Sequence, residues 1–136
     1  MKAEFNRAFD ALKNCLAAQV PEMGNVITHW EDPVLVQKNR AIMLPEAATG
    51  SGDEELSFTV KLCASIVEKN ADAVARAQME IMQKIFEAVY GNAPAPIISA
   101  SINNAEFFNP AVESPNTGIL LVFITAVVDA FDDCGM

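Results

Sequence analysis

The sequence predicts a single α+β domain, with two helices packed on one face of a mainly antiparallel sheet of four to five strands, in the order α-β-β-β-α-β-β. Three observations predict it. Segments 2–19 and 71–90 carry apolar residues at helical spacing. Segment 56–67 alternates apolar and polar residues with period two. Segment 97–131 holds two extended apolar stretches joined by a connection rich in proline and asparagine. At 136 residues, the whole chain, 1–136, fits one domain that needs no metal or disulfide to complete its core.

Residues 2–19 read as the first helix. Phe5, Phe9, Leu12, Leu16 and Val20 line one face, Ala8 widens it, and Arg7, Asp10, Lys13 and Asn14 take the other. Pro21 and Gly24 end it. Residues 25–30 suit a short strand that Asp32 and Pro33 break. Within 34–44, Val34, Leu35 and Val36 are separated from Ala41, Ile42, Met43 and Leu44 by polar residues, which fits one bent strand or two short ones. Residues 45–55 combine small residues, glycines and acids and read as an exposed flexible loop.

The next strand, 56–67, turns Leu56, Phe58, Val60, Leu62, Ala64 and Ile66 to one side and Ser57, Thr59, Lys61, Cys63 and Ser65 to the other. One dry face and one partly wet face favour an antiparallel sheet covered on one side. Asn70 is placed as an N-cap, with Asp72 in the first turn. The helix of residues 71–90 buries Val74, Gln78, Ile81, Met82, Ile85 and Val89, with Phe86 extending the stripe. Arg76–Glu80 and Glu80–Lys84 are the expected outer ion pairs, and Gly91 is the expected C′ stop before Pro94 and Pro96. In 97–108, Ile98, Ala100 and Ile102 oppose Ser99 and Ser101, and Phe107 and Phe108 follow. A long hairpin loop, 109–118, leads to 119–131, whose continuous β-branched apolarity predicts a strand covered on both faces.

Composition limits function. Apolar residues make up 51% and charged residues 20% of a chain whose net charge is −9. That balance disfavours phosphate backbones and anionic membranes as partners. Charge is also uneven: the first 84 residues hold nine bases and twelve acids, and the remainder holds six acids and no base. Cys15, Cys63 and Cys134 show no metal or redox spacing and read as reduced thiols, the first two as small core residues. The first residues lack an apolar stretch of the kind that opens a signal peptide, and residues 118–130 are too few to span a bilayer as a helix. The expectation is a cytosolic site of synthesis and no membrane partner.

No catalytic signature emerges. His29 is the single histidine, and no nucleophile context accompanies it. His29, Glu31 and Asp32 hold nitrogen and oxygen donors, but their spacing predicts no metal site. Gly50, Ser51 and Gly52 lack the Lys and hydroxyl of a phosphate loop, and Asp53, Glu54 and Glu55 would repel phosphate. No catalytic residue, metal or cofactor is therefore expected. What remains is surface. The strand at 119–131 is more apolar than a one-sided sheet needs, so its second face needs a cover: a neighbouring subunit, a curl of the hairpin itself or the chain's first strands folded over it. Asp53, Glu54, Glu55, Phe107, Phe108, Val112, Glu113 and Asp129 are the candidate interface residues.

The element order resembles the tail terminator and tail-completion proteins of long-tailed bacteriophages and prophages. The stretches that carry it are 5–16, 56–66, 71–90 with Gly91, and 97–131. The resemblance implies a structural virion subunit, found in the host cytoplasm during assembly. It would form a ring with itself, commonly a hexamer, that contacts tail tube and head–tail connector proteins and passes DNA without gripping it. The acidic balance suits such a pore, and 45–55 and 109–118 are the loops that would order against neighbours. A second reading, from the residues alone, is a small intracellular dimeric binding or regulatory module without catalytic activity; an enzyme built around His29 is a third. Assembly into rings separates the first from the second, and the surroundings of His29 test the third.

Overall fold

The computed structural model describes residues 5–32, 38–50, 55–91, 93–108 and 116–129, with the backbone alone for Glu55 and Asp129. The expectations for 34–37, 51–54, 109–115 and 130–136, Cys134 included, lie outside these residues. The described residues form two α-helices and a five-stranded mixed sheet. In chain order these are α1 (Phe5–Gln19), a 3₁₀ turn (Pro21–Met23), β1 (Asn25–Ile27), β2 (Arg40–Gly50), β3 (Glu55–Val67), α2 (Ala71–Gly91), β4 (Ile97–Phe108) and β5 (Thr117–Asp129).

The strands lie in the order β1-β2-β3-β5-β4. β1 pairs parallel with β2, and every other pair is antiparallel. β3 and β5 form the centre, in register from Glu55 opposite Asp129 to Val67 opposite Thr117. The core lies between the sheet and the helices. Leu12 and Leu16 of α1 and Ile81, Ile85 and Val89 of α2 pack against Val60, Leu62 and Ile66 of β3 and Leu120, Val122 and Ile124 of β5. Phe5 and Phe58 meet edge to face, ring centres 5.5 Å apart.

α1 buries Ala8, Leu12 and Leu16 as its spacing requires, and Val20 and Met23 carry the apolar seam through the turn. Gly24 then has φ +81°, and a Cβ there would stand 2.0 Å from the Asn39 carbonyl oxygen. That close approach lets β1 start beside β2, and only glycine fits it. α2 opens as predicted: the Ala73 N–H donates to Asn70 Oδ1 at 2.8 Å. It ends differently. Gly91 lies inside the last turn, without the left-handed φ of a C′ glycine.

Three further expectations are corrected. Residues 45–50 are not loop; β2 continues through them to Gly50, with a bulge between Pro45 and Ala47. β1 stops opposite Ile42, so among the described residues no strand pairs with the outer side of β2 from there on, and a proline without an N–H is tolerated at such an edge. In β4, bulges between Ile97 and Ser99 and between Ile102 and Asn104 reset the alternation. Ile97 is buried as a result, and Ile98, expected on the apolar side, is 54% exposed. On α2, Arg76 Nε pairs with Asp72 at 3.0 Å rather than with Glu80, because long helical side chains lean toward the N-terminus.

Candidate subunit interface

The helices cover one face of the sheet, and the other face decides what the molecule presents. On that second face Ile42, Cys63 and Ser65 are buried at one end. Trp30, itself 59% exposed, lines a shallow cleft of about 290 Å³ there with Lys61, Cys63, Phe108, Ile119 and Leu121. Along β5, Leu120, Val122, Ile124, Ala126 and Val128 face the helices and are buried, while Ile119, Leu121, Phe123, Thr125 and Val127 face the other way and are half-buried. The expected strand covered on both faces is thus covered fully on one. A single layer of helices can dry only one side of a sheet.

Polar groups run across the middle of this face. Thr59 and Thr125 hydroxyls lie 2.8 Å apart, and Asn103 Nδ2 donates to the Thr125 hydroxyl at 2.6 Å, linking β3, β5 and β4. Apolar surface lies on both sides of them, with Ile119, Leu121 and Phe123 toward one end and Val127 toward the other.

The candidate residues do not gather in one place. Phe107 and Phe108 are 43% and 45% exposed and point to opposite faces, since Phe107 pairs with buried Leu120 and Phe108 with half-buried Ile119. Glu55 and Asp129 are register partners at the far end of the sheet, ten residues or roughly 33 Å away along β5. Asp53, Glu54, Val112 and Glu113 lie outside the described residues.

The sequence reading missed a second set. Met79, Phe86 and Tyr90 are 63%, 42% and 56% exposed on one flank of α2. The Phe86 and Tyr90 rings stack 5.8 Å apart. Phe86 was expected to extend the buried stripe. It does not: α2 packs over β5 and the edge strand β4, no described strand lies beyond β4, and Phe86 shares the flank of Tyr90, which reaches that edge. Spacing alone carried part of the signal, since 79, 86 and 90 recur at i, i+7 and i+11.

A further apolar cleft of about 480 Å³ opens at the opposite edge of the sheet. Phe5, Asn6 and Phe9 of α1, Thr28, residues 45–48 of β2 and Phe58 line it.

His29 stands on the surface, its side chain 67% exposed, with Nε2 3.1 Å from Glu31, whose carboxylate also pairs with Arg40. Asp32 does not join them in a metal-binding group: among the described residues no three His, Cys, Asp or Glu side chains gather that could hold a metal ion. Cys63 is buried as expected and Cys15 only half-buried; burial raises the pKa of both thiols, with Lys61 partly opposing it at Cys63. No described helix is long and apolar enough to cross a membrane. The sequence matches no protein-family model and no curated protein.

Proposed function

We propose that this chain is a structural subunit that works by self-assembly, and that its assembly is the ring of a phage tail terminator or tail-completion protein. The half-buried row Ile119, Leu121, Phe123 and Val127 on the second face of the sheet carries the reading. A lone domain leaves these side chains partly in water, whereas a subunit can bury the remainder in a contact. The distribution of charge supports the same assembly, since the base-free C-terminal part gives DNA no cationic hold on its way through.

Native mass spectrometry over a wide range of protein concentration, with electron microscopy of the most concentrated samples, tests the proposal. Hexamers, rings or stacked tubes are the expected result. A monomer or dimer at every concentration, with and without tail tubes, overturns it.

One observation favours a second reading, a dimeric binding module. The apolar cleft beside Phe5 and Phe9 falls within the size range of small-molecule sites. Saturable binding of a small apolar ligand there, by a protein that never exceeds a dimer, decides for that reading.

A further inference from the structure

The two edges of the sheet differ in a complementary way. At one edge lies β4, with no described strand beyond it. Its residues 97–105 contain no ionisable side chain and no proline, and lack the lysines that usually guard an edge. Two hydrogen bonds place α2 along this strand. Gln78 Nε2 donates to the Phe108 carbonyl at 3.2 Å, and the Ile102 N–H donates to the Tyr90 hydroxyl at 2.8 Å. Tyr90 therefore reaches the rim of the sheet, and the stacked Phe86–Tyr90 pair stands beside the first half of β4 as an apolar knob.

At the other edge β1 covers only the first three residues of β2. Residues 45–50 of β2 are all exposed, and Glu46 is the one charge among them. The cleft of about 480 Å³ opens beside them, walled by Phe5, Phe9 and Phe58. Knob and cleft lie on the helix side of their respective edges.

The register shows that they also lie at the same level of the sheet. Ser99 is opposite Val127, Val127 opposite Ser57, and Ser57 opposite Thr49. One row down, Ser101, Thr125, Thr59 and Ala47 follow in the same way. Strand directions agree as well: three antiparallel steps separate β2 from β4, so the β2 of a like-oriented second copy runs antiparallel to β4.

We infer that a second copy of this chain is the partner of the β4 edge: residues 97–101 pair antiparallel with residues 47–50 of the next copy, and the Phe86–Tyr90 knob seats in that copy's cleft. Pairing ends at Ile102, whose N–H the Tyr90 hydroxyl already holds. The exposed parts of Phe86, Tyr90 and Ile98 alone offer roughly 300 Å², a large share of the ~800 Å² that each partner gives to a standard interface. Paired backbones and cleft walls add to it. Because the two surfaces differ, the contact runs head to tail, and sheet twist turns each copy relative to the last, which closes a ring or opens a helix. The inference rests on the self-assembly reading and adds to it an edge contact, separate from the second-face row that carries that reading.

Disulfide trapping tests it. Ser99→Cys and Thr49→Cys variants are made separately and oxidised alone and mixed, with the wild-type chain and its own thiols as background. The mixture should give a cross-linked dimer, and neither variant alone should. In parallel, Phe86→Ser and Tyr90→Ser, checked for native circular dichroism, should raise the concentration needed for assembly at least tenfold. Cross-linking of Ser99→Cys with itself would replace the head-to-tail contact with a symmetric β4 pair and overturn the inference. Oligomers that form normally, without cross-linking in the mixture and without loss in the ring variants, overturn the contact and leave self-assembly standing. A chain that stays monomeric overturns both.

Discussion

Gly118 leaves room for Gln78. A Cβ at position 118 would stand 2.8 Å from Gln78 Nε2 and 2.5 Å from a Val74 methyl. The space is used: Gln78, 3% exposed on the apolar face of α2, donates from one amide to the Ile119 carbonyl at 2.9 Å and the Phe108 carbonyl at 3.2 Å. A buried amide so placed ties the last two strands to the helix. Gln78→Leu keeps the volume and strands both carbonyls, which should cost about 1–3 kcal/mol. Gly118→Ala should cost a similar ~1–3 kcal/mol by overpacking. Urea unfolding measures both, and because the residues touch, the double variant should lose less than the sum of the singles.

Asn39 joins the 3₁₀ turn to the end of β3. Its Nδ2 donates to the Glu22 carbonyl at 2.8 Å, and its Oδ1 accepts the Val67 N–H at 2.7 Å. Asn39→Ala leaves a part-buried N–H and a carbonyl to find water, with an expected loss of about 1–2 kcal/mol. Asn39→Asp keeps the acceptor and loses the donor, so it should retain part of the stability. Thermal unfolding of the two variants distinguishes the contributions.

Glu22 and Lys84 pair across the gap between the turn and α2. The hydrogen bond from Lys84 holds the Glu22 carboxyl below its ordinary value of 4.5, and the same bond raises Lys84 above 10.5. The signs give a window. The Glu22 contribution is present in full above its unfolded value and is lost as pH falls through the lower folded one. The Lys84 contribution is present below 10.5 and is lost as pH rises through the higher folded one. Both side chains are partly exposed, so the effect is small and salt-sensitive. Wild type should melt above Glu22→Gln at pH 7, and the gap should close in strong acid and in high salt.

On the second face, the Thr125 hydroxyl meets both Thr59 and Asn103. Thr125→Val should cost about 1 kcal/mol of stability. Leu121→Lys and Phe123→Asp change half-buried positions outside the main core. They should leave the circular dichroism spectrum native and lower stability by less than ~1.5 kcal/mol, yet abolish oligomers in sedimentation. Unfolding by either variant would assign the face to the fold instead of to assembly.

The fold was largely legible because its longest elements obey their periods. Residues 56–66 alternate and became most of β3, and the stripe from Val74 to Val89 became the buried face of α2. Asn70 announced its helix through a local hydrogen bond that needs no tertiary context. The errors arose where a neighbour overrides local chemistry. Residues 45–50 look like a loop, and pairing with β3 makes them strand. Ile98 fits the alternation of its segment, and a bulge turns it out.

The sequence by itself determined which apolar residues share a face, since the sidedness of a helix or strand is written in spacing along the chain. Only the tertiary structure decided which dry-looking residues go uncovered. Phe86 and Ile98 carry the same apolar signal as their buried neighbours, and Ile119 the same as Leu120. Whether a side chain is covered depends on what lies across from it, here on the placement of α2 over β5 and the edge strand β4 and on helices that occupy one face of the sheet alone. That placement arises from contacts between residues far apart in the chain, which no local period records.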